Sequence, residues 1–199
     1  MNEKELKKLE KLFVKYGKKS IQEVETDKKF LEIKTYKIEL NNNEVIYRDK
    51  LIKNGNDGSA CIVVPILENN DVIMVVQPRV FSLKGVLLDF PSGYIEKGED
   101  PLNAALRELQ EETGYTADNI KSIASYYQDE GVSDARINVF LATGLRKVSD
   151  LNLDEDEYIE PFVTNFDNLD ELVDKGYIQS GGAQLAICKI KLLRGEKSC

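Results

Sequence analysis

Three glutamates near the middle of the chain, Glu108, Glu111 and Glu112, follow Arg107 within the segment Gly93–Tyr115, GYIEKGEDPLNAALRELQEETGY. On a helix turning about 100° per residue they share one surface, spread over about a quarter turn. Carboxylates held so close repel one another, and a like-charged i,i+4 pair such as Glu108 and Glu112 is destabilising. Arg107 offsets part of that repulsion, and a hard divalent cation would offset more. Mg2+ takes oxygen ligands, keeps several waters and is commonly shared with substrate phosphates. The spacing therefore points to metal-assisted chemistry on a phosphate compound. The ordinary alternative is a solvated acidic helix face; the glycines and the arginine around the cluster argue against it.

A helix must carry these residues, and its ends are legible. Asp100 is a good N-cap, Pro101 suits the first turn, and Gly114 ends the helix as a C′ glycine. The expected helix runs from Pro101 to Thr113. Leu102, Leu106, Leu109 and Thr113 form a stripe that would anchor it, with the glutamates pointing away into a cleft.

Around this helix the chain alternates strand and helix patterns. Leu6, Leu9, Phe13 and Tyr16 recur at helical spacing, which predicts an amphipathic helix docked on its own protein or on a twin subunit, its apolar face being small for the alternative of a membrane-surface helix. Phe30–Leu40 alternates as a half-buried strand, Asn41–Asn43 is a turn signal, and Glu44–Lys53 reads as the returning strand. After the break at Asn54–Gly58, Ala60–Leu67 and Val72–Val76 are nearly continuous apolar runs, as in strands buried on both faces. Val86–Phe90, Ile123–Tyr127, Ile137–Ala142 and Tyr158–Val163 are further strands. Asn168–Val173 and Ala183–Leu193 read as closing helices. The expected class is α/β (α+β): an α/β/α sandwich with a mixed sheet over residues 57–199. A small segment, 1–56, with a helix and antiparallel strands precedes it.

Composition narrows the chemistry. The net charge of −8 works against a nucleic-acid polymer as partner. The chain has no histidine, which removes Ser-His-Asp and Cys-His catalysis and His-ligated zinc. Cys61, Cys188 and Cys199 are widely spaced and form no CxxC pair, which fits a reducing, cytoplasmic setting. Cys61 reads as core and Cys199 as idle. No apolar run approaches the roughly 20 residues that span a bilayer, and the N-terminus lacks the apolar stretch of a secretory signal.

The acidic segment resembles the Nudix box, Gly-x5-Glu-x7-Arg-Glu-(aliphatic)-x-Glu-Glu-x-Gly-(aliphatic). Gly93, Glu99, Arg107, Glu108, Leu109, Glu111, Glu112 and Gly114 all fall in place, and Tyr115 replaces the final aliphatic residue. The resemblance implies a Nudix-type fold in which Glu108, Glu111 and Glu112 bind Mg2+ or Mn2+, helped by the backbone carbonyl of Ser92. It implies that Arg107 orients a glutamate, with Glu99 as candidate. The metals would lower the pKa of an attacking water, and a carboxylate would take its proton.

Outside the box the chain is most similar to the ADP-ribose and nucleoside-diphosphate-sugar pyrophosphatases. Val75–Arg79, Leu88–Gly93, Gly131–Asp134 and Val139–Ala142 carry that likeness. It implies Mg2+-dependent hydrolysis of the pyrophosphate bond of ADP-ribose or a similar nucleoside diphosphate sugar, giving a nucleoside monophosphate and a sugar phosphate. Glu130 stands where ADP-ribose enzymes often carry a proline, so GDP-mannose or a UDP-sugar stays open. In such relatives the N-terminal strands often exchange across a homodimer and help hold the base. Tyr47 and Phe30 are the residues that would stack on it, or else are core. Arg79 meets a phosphate or caps the sheet edge. The loop Asp154–Glu157 offers a general base, with Glu157 first and Glu155 second. The competing reading is a Nudix-fold nucleotide-binding regulatory module without hydrolase activity. No nucleic-acid or membrane partner is expected.

Overall fold

The structure is a computed structural model and describes residues 1–25, 30–53, 55–155 and 157–196. Asp156 and Cys199 lie outside the described residues. Helix α1 (Glu3–Tyr16) starts at a capping box. The Asn2 side chain accepts from the Glu5 amide, and the Glu5 carboxylate accepts from the Asn2 amide. Leu9 and Leu12 are buried in the main core with Phe162 and Phe166, and Phe13 meets Tyr177 edge-on at 4.9 Å. The N-terminal amine binds Glu171 at 2.9 Å. Of the two dockings left open for this helix, the fold shows packing on its own protein.

Strands β1 (Leu31–Glu39) and β2 (Val45–Lys53) form an antiparallel two-stranded sheet of their own. The alternation in β1 predicts a half-buried strand, yet every residue of β1 is exposed. Among the described residues the Leu31, Ile33 and Tyr36 side chains stay 50%, 67% and 44% exposed. The hairpin is tied to the body by the Leu51 amide, which donates to the Val132 carbonyl at 2.7 Å, and by a Lys50–Asp134 ion pair.

The body holds two sheets. Strands β3 (Ala60–Pro65), β6 (Ser92–Tyr94), β7 (Tyr115–Tyr127) and β8 (Arg136–Lys147) form a mixed sheet in the order β6-β3-β8-β7. In it β3 and β8 run parallel. Strands β4 (Asp71–Pro78), β5 (Val86–Asp89) and β9 (Glu160–Asn165) form an antiparallel sheet in the order β5-β4-β9. The continuous apolar run of β3 serves both its faces. Ile62 and Val64 enter one core cluster, and Cys61 and Val63 enter another with Ala104, Ala105 and Leu109. Burial pushes the Cys61 thiol up to about 12, so it packs rather than reacts. The chain ends with α3 (Leu169–Asp174) and α4 (Gly181–Leu193), and α4 inserts Ala183, Ala186, Ile187 and Ile190 into the main cluster. This is the expected mixed α/β architecture.

Two strands outrun their expected lengths. Strands β7 and β8 pair from Tyr115↔Lys147 to Tyr127↔Arg136, with a bulge at Ser122/Ala124. The β7 residues before Ile123 and the β8 residues after Ala142 are half-exposed or exposed, so apolar patterning marked only the C-terminal end of β7 and the N-terminal half of β8. The three-residue β6 carries no periodicity and was not predicted. No described helix is long and apolar enough to cross a membrane.

Candidate active site

Helix α2 (Pro101–Thr113) has the predicted ends. Asp100 accepts from the Leu102 amide at 2.9 Å. Gly114 takes a left-handed φ of 77° and donates to the Gln110 carbonyl at 2.8 Å. Its buried face differs from the predicted leucine stripe. Leu102 is exposed and Leu106 half-buried, while Ala104, Ala105, Glu108, Leu109, Glu112 and Thr113 are buried. Ala104, Glu108 and Glu112 make one i,i+4 line, and Ala105, Leu109 and Thr113 the next. The small alanines let the helix lie close to β3, which carries Glu108 and Glu112 inward. Tyr115, the departure from the box, packs against the cluster around Leu109.

The box loop meets these glutamates at close range. A Cβ at Gly93 would lie 2.1 Å from Glu108 Oε1, so only glycine leaves room for the carboxylate. The Ser92 amide donates to Glu112 Oε2 at 2.9 Å. Arg107 grips Glu99 with two bonds of 3.0 and 3.1 Å. Its Nη1 also donates to Glu108 at 2.7 Å and Glu111 at 2.9 Å, and Nη2 donates to the Tyr94 carbonyl at 3.1 Å. The hydrogen bonds from Arg107 hold the Glu99 carboxyl below its usual range. Burial pushes Glu108 up to about 7 against the pull of Arg107. Burial raises Glu112 well above its ordinary value, and the nearby charges of Glu108 and Glu157 add to the rise.

Arg79, Ser92, Arg107, Glu108, Glu112 and Glu157 line one cleft of about 570 Å³. The register Val76↔Glu160 between β4 and β9 brings residues 157–159 beside the end of β4, where Arg79 follows. The other predicted residues lie elsewhere. Glu111 is turned onto Arg107 and does not line the cleft. Glu155 is exposed. Tyr47 is 61% exposed on the hairpin. Phe30 lines an adjoining pocket of about 290 Å³ together with Tyr94, and their ring centroids are 5.8 Å apart. Glu130 lines a separate crevice beneath the hairpin. The cleft also includes Asp154, the first residue of the candidate loop, and Gln77 and Gln128, which sequence reasoning did not single out. Gln77 sits in the Val75–Arg79 segment, two residues before Arg79, and that shared strand face was the signal available.

Among the described residues, no group of three or more acidic or cysteine side chains stands in a metal-holding arrangement. Arg107 and the Ser92 amide draw the carboxylates onto the protein instead. Even so, the donors facing the cleft are oxygens. Glu108 and Glu112 are two buried acids whose charged forms burial disfavours. One or two carboxylates plus waters and substrate phosphates are what Mg2+ ordinarily takes from a protein, so the residues fit a hard divalent ion.

Comparison with known proteins places this chain in a class. The sequence model of the NUDIX domain matches residues 57–182. An ADP-ribose pyrophosphatase of Bacillus subtilis (strain 168) is 32% identical over 165 residues, 82% of this chain and 86% of its own. A methanol dehydrogenase activator of Bacillus methanolicus is 32% identical over 139 residues, 69% of this chain and 75% of its own. The crystal structure of an ADP compounds hydrolase superposes with a TM-score of 0.71 at 21% identity. It covers 89% of this chain and 98% of that one, and shows a common fold. The chain belongs to the NUDIX domain family and is a hydrolase acting on pyrophosphate bonds.

Proposed function

We propose that the protein hydrolyses the diphosphate of ADP-ribose or a similar nucleoside diphosphate sugar with Mg2+, or Mn2+, releasing a nucleoside monophosphate and a sugar phosphate. The observation that carries this reading is the single cleft in which two buried glutamates, Glu108 and Glu112, face Arg79 and Glu157. The name of the B. subtilis relative supports ADP-ribose as first substrate.

Glu108 and Glu112, with the Ser92 carbonyl, would hold the ion. When bound, it neutralises the diphosphate and acidifies a water. Glu111 acts one step back, through Arg107. Arg79 pairs with a phosphate, a geometry that guanidinium suits. Glu157 takes the proton of the attacking water. The new P–O bond forms as the bond to the bridging oxygen breaks, and that oxygen leaves on the other product. The pocket lined by Phe30 and Tyr94 adjoins the cleft and offers two rings to a nucleobase. The uncovered apolar residues of β1 fit a homodimer in which the hairpin meets a second chain, where Tyr47 would reach a base. The cysteine pattern fits a cytoplasmic setting.

A screen of nucleoside diphosphate compounds with Mg2+ or Mn2+, read by which monophosphate appears, tests this. ADP-ribose should yield AMP, and Glu112→Gln should cut turnover by orders of magnitude while leaving the melt nearly unchanged. Full activity in that variant would refute the metal assignment. A nucleotide-binding regulatory role is the second reading, favoured by the relative named as a methanol dehydrogenase activator. Absence of monophosphate from every compound would favour it.

A further inference from the structure

Among the described residues two buried side-chain polar atoms have no hydrogen-bond partner, Gln77 Nε2 and Ser82 Oγ. Of these two residues only Gln77 lines the cleft. It is 5% exposed. A buried amide donor left unpaired is costly and is rarely kept in a native protein without a reason. The cost is recovered if a ligand supplies the missing acceptor.

The surroundings define that ligand. Gln77 lies near the end of β4, two positions before Arg79, so the two side chains project toward the same cleft. Glu108, Glu112 and Glu157 line the same cleft. Phosphoryl oxygens only accept hydrogen bonds, and Nε2 only donates them. A lysine at this place would pair with the buried glutamates and compete with a divalent ion for them. A neutral amide binds a phosphoryl oxygen without adding charge.

We propose that Gln77 is a substrate-binding residue whose Nε2 donates to a phosphoryl oxygen of the bound diphosphate, beside Arg79. The assignment rests on the diphosphate reading of the cleft. It goes beyond that reading by naming a neutral donor that contacts the diphosphate without holding the metal.

The test is Gln77→Met, which keeps volume and removes the donor. Binding of inorganic pyrophosphate in Mg2+ is measured by calorimetry, and the ligand-free melt and the KM and kcat for ADP-ribose are measured alongside. Loss of one donor to a charged acceptor weakens binding by roughly tenfold to a hundredfold. The expected result is pyrophosphate affinity and KM worse by that factor, with a ligand-free melting temperature unchanged or higher, because an unpaired buried donor is gone. A purely structural glutamine would do the reverse, lowering the melting temperature and leaving affinity alone. That result overturns the proposal, as does failure of the wild type to bind pyrophosphate. If pyrophosphate affinity falls as expected while the wild type cleaves no nucleotide, the proposed hydrolysis fails and the role of Gln77 stands.

Discussion

Gly93 and Glu108 occupy space that only one of them can fill with a side chain. The carboxylate of Glu108 sits where a Cβ on residue 93 would be, 2.1 Å from Oε1 and 2.2 Å from Cδ. The glycine of the box loop is therefore a steric condition for the glutamate of the helix. Gly93→Ala should displace the carboxylate from Arg107, lower stability by roughly 1–3 kcal/mol and reduce metal-dependent turnover by roughly tenfold or more. Thermal melts and initial rates check this; an alanine variant with wild-type rates would show that the close approach does not matter.

Arg107 joins Glu99, Glu108, Glu111 and the Tyr94 carbonyl through one guanidinium. Lysine keeps the charge but cannot reproduce the fork. Arg107→Lys should weaken Mn2+ affinity by roughly tenfold to a hundredfold, the usual effect of losing a group that orients metal ligands. Titration of Mn2+ by electron paramagnetic resonance measures it, and an unchanged affinity would reduce Arg107 to a surface ion pair.

The loop before β9 presents two glutamates at close spacing, and the fold treats them differently. Glu157 lines the cleft and Glu155 is exposed outside it. Glu157→Gln should lower kcat by roughly a hundredfold or more, the range for a lost general base. Glu155→Gln should leave kcat unaltered. Equal, small effects from the two variants would mean that the base lies elsewhere.

Burial raises Glu108 from 4.5 to about 7 and Glu112 well above 4.5. A raised folded-state pKa contributes stability that is whole below the unfolded value and is lost as pH rises through the folded one. Metal-free protein should therefore melt at a lower temperature at about pH 8 than at about pH 5. Glu99, Glu160 and Glu171 are held low by bonds from Arg107, Lys15 and Lys175. They act in the opposite sense, but only as pH falls below about 4.5, outside this window. Mg2+ needs the carboxylates charged, so the rise in melting temperature on adding it should be larger at the higher pH. Calorimetric melts in chelator and in Mg2+ at both pH values test the sign; a larger Mg2+ effect at low pH would contradict the site.

Much of this was legible along the chain because its causes are short in range. Asp100, Pro101 and Gly114 act within a turn of where they stand, so α2 could be bounded residue by residue. The Asn41–Asn43 turn and the alternation around it similarly marked the β1–β2 hairpin. The spacing of Gly93, Arg107 and the glutamates identified the family, since a fixed interval along one helix and its entry loop is itself a local property.

The division of labour within the cluster was decided by tertiary contacts. Sequence alone placed Glu108, Glu111 and Glu112 on one surface as equals. Packing of Ala104 and Ala105 near β3 rotated that surface inward, burying Glu108 and Glu112 and leaving Glu111 to Arg107. The cleft draws Gln77 and Arg79 from one sheet, Ser92 from the other, and Glu157 from a loop ahead of β9. Strand pairings such as Val76↔Glu160 and Ile62↔Ser92 set that convergence. Pairing across so many residues depends on which apolar faces the whole chain can bury together, and no window of the sequence contains that information.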